Sequence, residues 1–389
     1  MRRWLQQLQH ELTHRQSLSL RRQLRAVDQC ARIVQLDGRP LINLASNDYL
    51  ALAGHPHIRQ AVVEAIKRFG VGAGASRLVT GDLHVHRQLE ERFAVFKHAE
   101  AALLTPTGYM ANLAVLSALA GPDDVVLMDK LNHASLIDAA RASGATVRIY
   151  PHRNLDKLHR LLQRTADARR RLIVTDAVFS MDGDCADLPA LCELRDQFDA
   201  ILIVDEAHAT GVLGESGAGL AERQGVAGHI DVTISTAGKA LGSLGGIVTA
   251  PQLAIDTLIN QARTFIYTTA PPVTQVAAVN AALDVIEREP DRRLRLADLS
   301  QRLRSRLQQR GWPVADDPTP IVPLIVRDPA AALKMAERLE AEGFLIPAIR
   351  PPTVPPDSAR LRVSLRADLL DDDIDRLIAA VGAPSDGVR

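Results

Sequence analysis

Short apolar runs separated by helical stretches constrain this chain more than any other feature. The runs are residues 125–129 (VVLMD), 146–150 (TVRIY), 172–179 (LIVTDAVF), 201–207 (ILIVDEA), 232–236 (VTIST) and 245–250 (GGIVTA). Several are continuously apolar rather than alternating, the pattern of strands buried on both faces. Around them the spacing predicts helices near 57–69, 84–98, 109–120, 134–143, 154–166, 188–198 and 251–264. This alternation specifies an α/β fold with a mostly parallel central sheet flanked by helices. In such sheets ligands bind outside the carboxyl ends of the strands.

The flanks read differently. Residues 4–26 form an amphipathic pattern, with Trp4, Leu5, Leu8, Leu12, Leu20 and Leu24 at helical spacing. Its polar face mixes Gln, Glu, His and Arg, which favours an arm packed on the body or on a partner subunit over a membrane-lying helix. After a helix-rich segment, 273–311, comes a smaller α+β pattern: strand 321–326, helix 329–342, strands 345–350 and 359–365, and helix 370–382. The Pro-rich residues 351–356 make a rigid loop between two of these strands. The expected division is an N-terminal helical arm over 1–40, a large domain over 41–285 and a small C-terminal α+β domain over 286–389.

Bulk properties exclude several function classes. Lys plus Arg equals Asp plus Glu at 46 each, so the basic excess of a general nucleic-acid or membrane-surface binder is missing. No run approaches the eighteen or so apolar residues of a membrane span, and the N-terminus lacks the apolar stretch of a signal peptide. Cys30, Cys185 and Cys192 make neither a CxxC pair nor an even set, as expected of reduced thiols. A soluble, cytoplasmic protein is expected.

The ends of two runs carry the chemistry. The strand at 201–204 delivers Asp205 and, three residues on, His208; the strand at 232–234 leads to Lys239 among small residues, with Gly238, Ala240 and Gly242 beside it. An acid, an imidazole and a lysine at neighbouring strand ends are what pyridoxal 5′-phosphate (PLP) chemistry needs. The acid keeps the pyridine nitrogen protonated, the imidazole bonds the ring phenolate oxygen, and the lysine forms the Schiff base. Lysines occur only at 67, 97, 130, 157, 239 and 334. Of these, Lys130 also follows a strand, but it lies among larger neighbours without a comparable glycine run. A Schiff-base lysine needs a desolvated pocket, which favours Lys239.

Other residues fit around this set. Gly108 and Tyr109 precede a helix whose free N–H groups suit a phosphate, although a plain helix start reads the same way. Thr236, Thr268 and Thr269 offer hydroxyls. His133 follows the strand at 125–129 and would stack on a flat ring, or simply start a helix. Ser180 follows the strand at 172–179 and faces the same edge.

Three false leads fall away. The letters DEAH at 205–208 also spell a helicase motif, but Gly238-Lys239 is followed by Ala240, and Thr233 stands where a phosphate loop needs its first glycine. The glycine run at 70–77 has Ala75 and Arg77 where a dinucleotide fingerprint needs glycine. His84 and His86 have no carboxylate or cysteine cluster to complete a metal site.

Taken together, NLASNDYL (43–50), ASRLVTGDLHVHRQLE (75–90), TGYMAN (107–112), HASLIDAA (133–140), VFSMDGD (178–184), VDEAHATGVLG (204–214) and TAGKALG (236–242) resemble the α-oxoamine synthases, fold-type I PLP-dependent transferases. The resemblance runs nearly end to end. AIRPPTVP (348–355) followed by ARLRVSL resembles the branch that condenses L-alanine with a pimeloyl thioester in biotin synthesis. It implies roles for Lys239, Asp205, His208, His133 and Ser180 as above. Gly108, Tyr109, Thr236 and a neighbouring subunit's Thr268 or Thr269 would hold phosphate and ring. Asn47 and Arg362 would hold the amino-acid carboxylate, with His133 also facing substrate, and Arg21 and Thr353 the acyl substrate. It further implies a homodimer, no metal, and coenzyme A or acyl-carrier protein as the acyl carrier. Ala51 departs from the family's glycine in SNDYLAL.

Overall fold

In the computed structural model, which describes residues 2–384, the apolar runs assemble into one seven-stranded sheet. Its strands, numbered along the chain, are β1 (Ala101–Thr105), β2 (Val125–Asp129), β3 (Thr146–Tyr150), β4 (Arg171–Asp176), β5 (Ile201–Asp205), β6 (Val232–Thr236) and β7 (Gly246–Ala250). The order across the sheet is β1-β7-β6-β5-β4-β2-β3. Strands β3, β2, β4, β5 and β6 run parallel, while β7 is antiparallel to both β6 and β1. The sheet is therefore mixed, its parallel block ending at β6.

Burial explains the continuous apolar lettering. Val126, Met128, Leu172, Val174, Ile203, Ile234 and Val248 pack with Ala111, Val115, Leu136 and Phe265 from the helices into one core. Covering the strands on both faces removes their apolar area from water at roughly 25 cal/mol per Å². Edge strand β3 is instead partly or fully exposed at its first four residues, with only Tyr150 buried.

Register sets the chemistry. Asp176 at the end of β4 pairs directly with Asp205 at the end of β5, and Asp129 closes β2 beside them. Three aspartates thus end neighbouring parallel strands, on the edge where such sheets bind ligands.

The large sheet belongs to a unit made of Leu52–Ser180 and Asp184–Arg293, while Met1–Ala51, Met181–Gly183 and Leu294–Arg389 form a second unit. The N-terminal segment is thus more than an arm. Strand Ile33–Leu36 pairs antiparallel with Arg39–Asn43, which pairs parallel with Phe344–Leu345. A second small sheet joins Ile321–Arg327, Ala359–Ser364 and Ala348–Ile349, all antiparallel. The strand expected at 345–350 is therefore two short strands in different sheets. Met1 and residues 385–389, the outer ends of the expected arm and C-terminal domain, lie outside the described residues.

The helix expected over 4–26 is Arg3–Ser17. Ser19, with φ at +57°, turns the chain into the left-handed region and ends it. Ala51 has φ +56°, which accounts for a glycine being expected there. Among the described residues no helix is long and apolar enough to cross a membrane.

Within the large unit Lys97 is buried against Glu206, and its ammonium also donates to the Ala218 carbonyl. Glu206 follows Asp205 directly and accepts from the Ala221 N–H at 2.8 Å, so this pair pins the loop after β5. Lys97→Met leaves a buried carboxylate unpaired and should cost about 3–5 kcal/mol in denaturant unfolding. A loss below about 1 kcal/mol would show that the pair holds nothing.

Candidate active site

The carboxyl ends of β2, β4, β5 and β6 bring the expected groups of the large unit together. Lys239 Nζ and His208 Nε2 are hydrogen-bonded at 2.7 Å. Asp205 is buried and accepts at both oxygens, from Asn112 Nδ2 at 2.8 Å and from the Ala207 N–H at 2.9 Å. The rival Lys130 is exposed at the end of β2.

His133 caps helix Ala134–Ala142. Its Nδ1 accepts from the Ser135 N–H at 3.3 Å and lies 2.7 Å from the Ser135 hydroxyl, which itself accepts from Asn112 Nδ2 at 2.7 Å. This chain of donors assigns Nδ1 as acceptor and puts the ring proton on Nε2. Burial lowers the His133 pKa, and Lys239 adds to that against the pull of Asp205, so the ring is neutral at physiological pH.

Asp176 is the neighbour that sequence reasoning passed over. Its Oδ2 accepts from the His133 backbone N–H at 2.8 Å. Burial first, and the adjacent Asp205 charge second, push its carboxyl well above the usual range. Burial and the adjacent charge thus both favour its protonated form over its ionised one. The sequence did carry a signal: LIVTD at 172–176 ends in an acid just as ILIVD does at 201–205. Asn112, which ties Asp205 to Ser135, left no signal beyond its place in TGYMAN.

The phosphate candidates surround the start of helix Gly108–Leu119. Thr107 caps it, its hydroxyl accepting from the Met110 N–H at 3.2 Å. That leaves the N–H groups of Gly108 and Tyr109 among the donors a helix cannot use internally. A Cβ on Gly108 would stand 3.3 Å from the Thr236 side chain, so glycine permits this close approach. Thr236 Oγ1 accepts from the Gly238 N–H at 3.2 Å and donates to the Gly245 carbonyl at 3.0 Å. Tyr109 Oη donates to Asp138 Oδ2 at 2.5 Å. Thr268, half-buried, and Thr269, exposed, stand in the loop after helix Arg263–Ile266, apart from this bonded set. Ser180 sits in a short hairpin after β4, closed by a Val178–Cys185 bridge.

The expected substrate groups lie in the other unit. Arg362 is buried on strand Ala359–Ser364, and its guanidinium donates to Asn47 Oδ1 at 3.1 Å and to Tyr49 Oη at 3.2 Å. Thr353 is exposed and accepts from Arg22 at 3.2 Å. The arginine that meets Thr353 is thus Arg22, while the expected Arg21 is exposed one residue earlier. Of the two histidines left aside above, His86 is buried and bonded to the Leu83 N–H and the Pro271 carbonyl, a capping role.

These residues fit a phosphorylated pyridine aldehyde. A half-buried amine, a buried acid in a bonded cage, an imidazole on the amine and a helix start with spare donors match its aldehyde, ring nitrogen, phenolate and phosphate.

Comparison with known proteins agrees. The model of the family described as aminotransferase class I and II matches residues 39–381. The chain is 47% identical to 8-amino-7-oxononanoate synthase of Nitrosococcus oceani, over 95% of this chain and 99% of that one. It is 46% identical to that of Geobacter sulfurreducens, over 95% and 96%. Among solved structures, a variant of serine palmitoyltransferase from S. paucimobilis, with a bound PLP–myriocin aldimine, is similar at TM-score 0.92 and 27% identity, over 98% of both chains. The 8-amino-7-oxononanoate synthase of Francisella tularensis is similar at 0.77 and 28%, over 88% of this chain and 96% of that one. The cofactor is pyridoxal 5′-phosphate, on the fold-type I transferase architecture. The chain belongs to the aminotransferase class I and II family and, within it, to the 8-amino-7-oxononanoate synthases.

Proposed function

We propose that this protein condenses L-alanine with a pimeloyl thioester, releasing CO2 and free thiol and giving 8-amino-7-oxononanoate for biotin synthesis. The observation that carries the reading is the Lys239–His208 contact at 2.7 Å beside Asp205, in a chain that is 46–47% identical to these synthases nearly end to end.

Bound there, PLP supplies an electron sink that makes an amino-acid Cα–H acidic. The rest falls to the chain. Lys239 Nζ would anchor the cofactor covalently and is the amine that would take the alanine Cα proton and return one. Asp205 presents its carboxylate to the ring nitrogen, and Asn112 and the Ala207 N–H fix its aim. His208 orients the amine and faces the phenolate oxygen, with Ser180 close by. The neutral ring of His133 stacks on the cofactor without adding positive charge. Gly108, Tyr109 and Thr236 take the phosphate, Thr236 giving up its bond to Gly245 to do so. Thr268 or Thr269 of a second subunit completes that site in a homodimer.

Arg362 and Asn47 are assigned the alanine carboxylate, and Arg21 and Thr353 the acyl substrate. Losing a charged hydrogen bond is worth roughly 1.5–3 kcal/mol, about ten- to a hundredfold. Arg362→Lys, which lacks the planar fork, should therefore raise the alanine KM by about tenfold or more while PLP binding stays near the parent's. An unchanged KM in steady-state kinetics would remove Arg362 from the carboxylate site. Both coenzyme A and acyl-carrier protein remain acyl carriers to compare. The free thiols Cys30, Cys185 and Cys192 accord with a cytoplasmic enzyme.

The higher TM-score to serine palmitoyltransferase favours a second reading, an α-oxoamine synthase that uses serine. A shared fold is weaker grounds than near-half identity along the whole chain. Amino-acid selectivity decides between them. The cofactor's visible absorbance should respond at far lower concentration to L-alanine than to glycine or L-serine; a response led by serine or glycine would favour the relatives.

A further inference from the structure

Outside the cofactor set, three strand-end segments converge on one side chain. His152 follows β3. Its Nδ1–H donates to Asp129 Oδ1 at 3.0 Å and its Nε2–H to Asp184 Oδ2 at 2.7 Å. Neither neutral tautomer makes both bonds, since each has one bare nitrogen; the geometry requires the imidazolium. The Phe179 ring packs edge-on against it, with centroids 4.4 Å apart.

Each carboxylate holds more than the histidine. Asp129 also accepts from the Leu131 N–H at 2.8 Å and the Arg153 N–H at 2.7 Å, fixing the turn from β2 that leads to His133. Asp184 belongs to the hairpin that carries Ser180. Its carbonyl accepts from the Phe179 N–H at 3.0 Å, and the Ala177 N–H ties the hairpin base to the Asp205 carbonyl at 2.8 Å. His152 is thus the cross-brace between the His133 turn and the Ser180 hairpin.

We propose that His152, as an imidazolium, is a positioning residue that locks these two cofactor-facing segments together, and that its deprotonation loosens them. The proposal rests on the reading of His133 and Ser180 as PLP contacts given above. Burial opposes the charge, but the bonds to Asp129 and Asp184 outweigh it and push the imidazole up to about 9. The groups around it are Asp129 and Tyr150 at the ends of β2 and β3, Asp184 and Asp187 on the hairpin side, and Asp176, whose carboxyl senses Asp129. Arg153 is the positive neighbour, 3.3 Å from Asp184 Oδ2. The folded value lies above the ordinary 6.5, so the stabilisation is complete below about 6.5, declines above it and is gone once pH passes about 9.

Two measurements on the holoenzyme test this. With ring-¹⁵N histidine, NMR should show one histidine, missing in His152→Gln, that keeps both nitrogens protonated at pH 8. It should titrate near 9 and shift to lower pH in Asp184→Asn. A neutral His152 ring at pH 7.5 overturns the proposal. PLP dissociation is the second readout. His152→Gln should weaken PLP at pH 7.5 by about tenfold or more and lose the alkaline fall in affinity that the parent shows near pH 9. Parent-like affinity with the same pH profile also overturns it. Asp184→Asn serves for this readout if His152→Gln does not fold. A parent that binds no PLP at all would sink the functional reading and the positioning role together, whereas failure in the variant alone would sink only the latter.

Discussion

Lys239→Ala should lower turnover by roughly a thousandfold or more while the protein stays folded and still takes up PLP. The loss combines two roles, covalent anchor and proton carrier at the substrate Cα. Neither the buried Lys97 nor the strand-end Lys130 is placed to substitute. Lys97 is committed to Glu206 and the Ala218 carbonyl, and Lys130 is exposed. The side chain itself is dispensable for folding, because β6 and β7 are held by their ladder, not by residue 239. Product formation measures the first effect. Borohydride trapping supplies an independent check: PLP should become fixed to the peptide containing Lys239 in the parent and to none in the variant. Turnover within tenfold of the parent would refute the role.

Asp205→Asn should reduce kcat by roughly a hundred- to a thousandfold, about 2.7–4 kcal/mol of transition-state stabilisation. The amide keeps the shape and removes the charge at the ring nitrogen. Its oxygen can still accept from the Ala207 N–H, which turns its NH2 toward the Asn112 donor. Asn112 cannot turn over to relieve that conflict without giving up its bond to Ser135 Oγ. A modest loss of stability, about 1–3 kcal/mol, should therefore accompany the collapse in rate. Asp176 next door loses the Asp205 charge that helps raise its carboxyl, but it should not take over the role, because its Oδ2 is committed to the His133 N–H. A variant that retains near-parent kcat would show that Asp205 does not face the ring nitrogen.

The groups that were legible in the sequence share a reason. Asp205, His208 and Lys239 stand where continuous apolar lettering stops, and a buried parallel strand can only stop at its ligand-binding edge or the opposite one. β1 was not legible, because AALLT is alanine-rich with weak strand preference, between two strong helical patterns. The hairpin of 33–36 with 39–43 was missed although its Asp37-Gly38 turn is local; only the pairing of 39–43 with Phe344–Leu345, some three hundred residues away, is a long-range fact. Asp176 was visible as an acid ending a strand, but its pairing with Asp205 needs the strand order, which periodicity does not supply. Nothing in the sequence singles out His152; that it bonds two aspartates from separate strand ends is a tertiary fact. Helix Arg3–Ser17 ends earlier than the apolar spacing suggested, and Arg22, next to the assigned Arg21, is the residue that bonds Thr353.

The central claim is tested most directly by incubating the purified, PLP-loaded protein with L-alanine and either pimeloyl-CoA or pimeloyl acyl-carrier protein, then identifying the product by mass. The account predicts 8-amino-7-oxononanoate with matching release of CO2 and thiol from at least one of the two thioesters, and far less product when glycine or L-serine replaces alanine. No condensation product with alanine from either thioester, or faster condensation with glycine or serine, would contradict it.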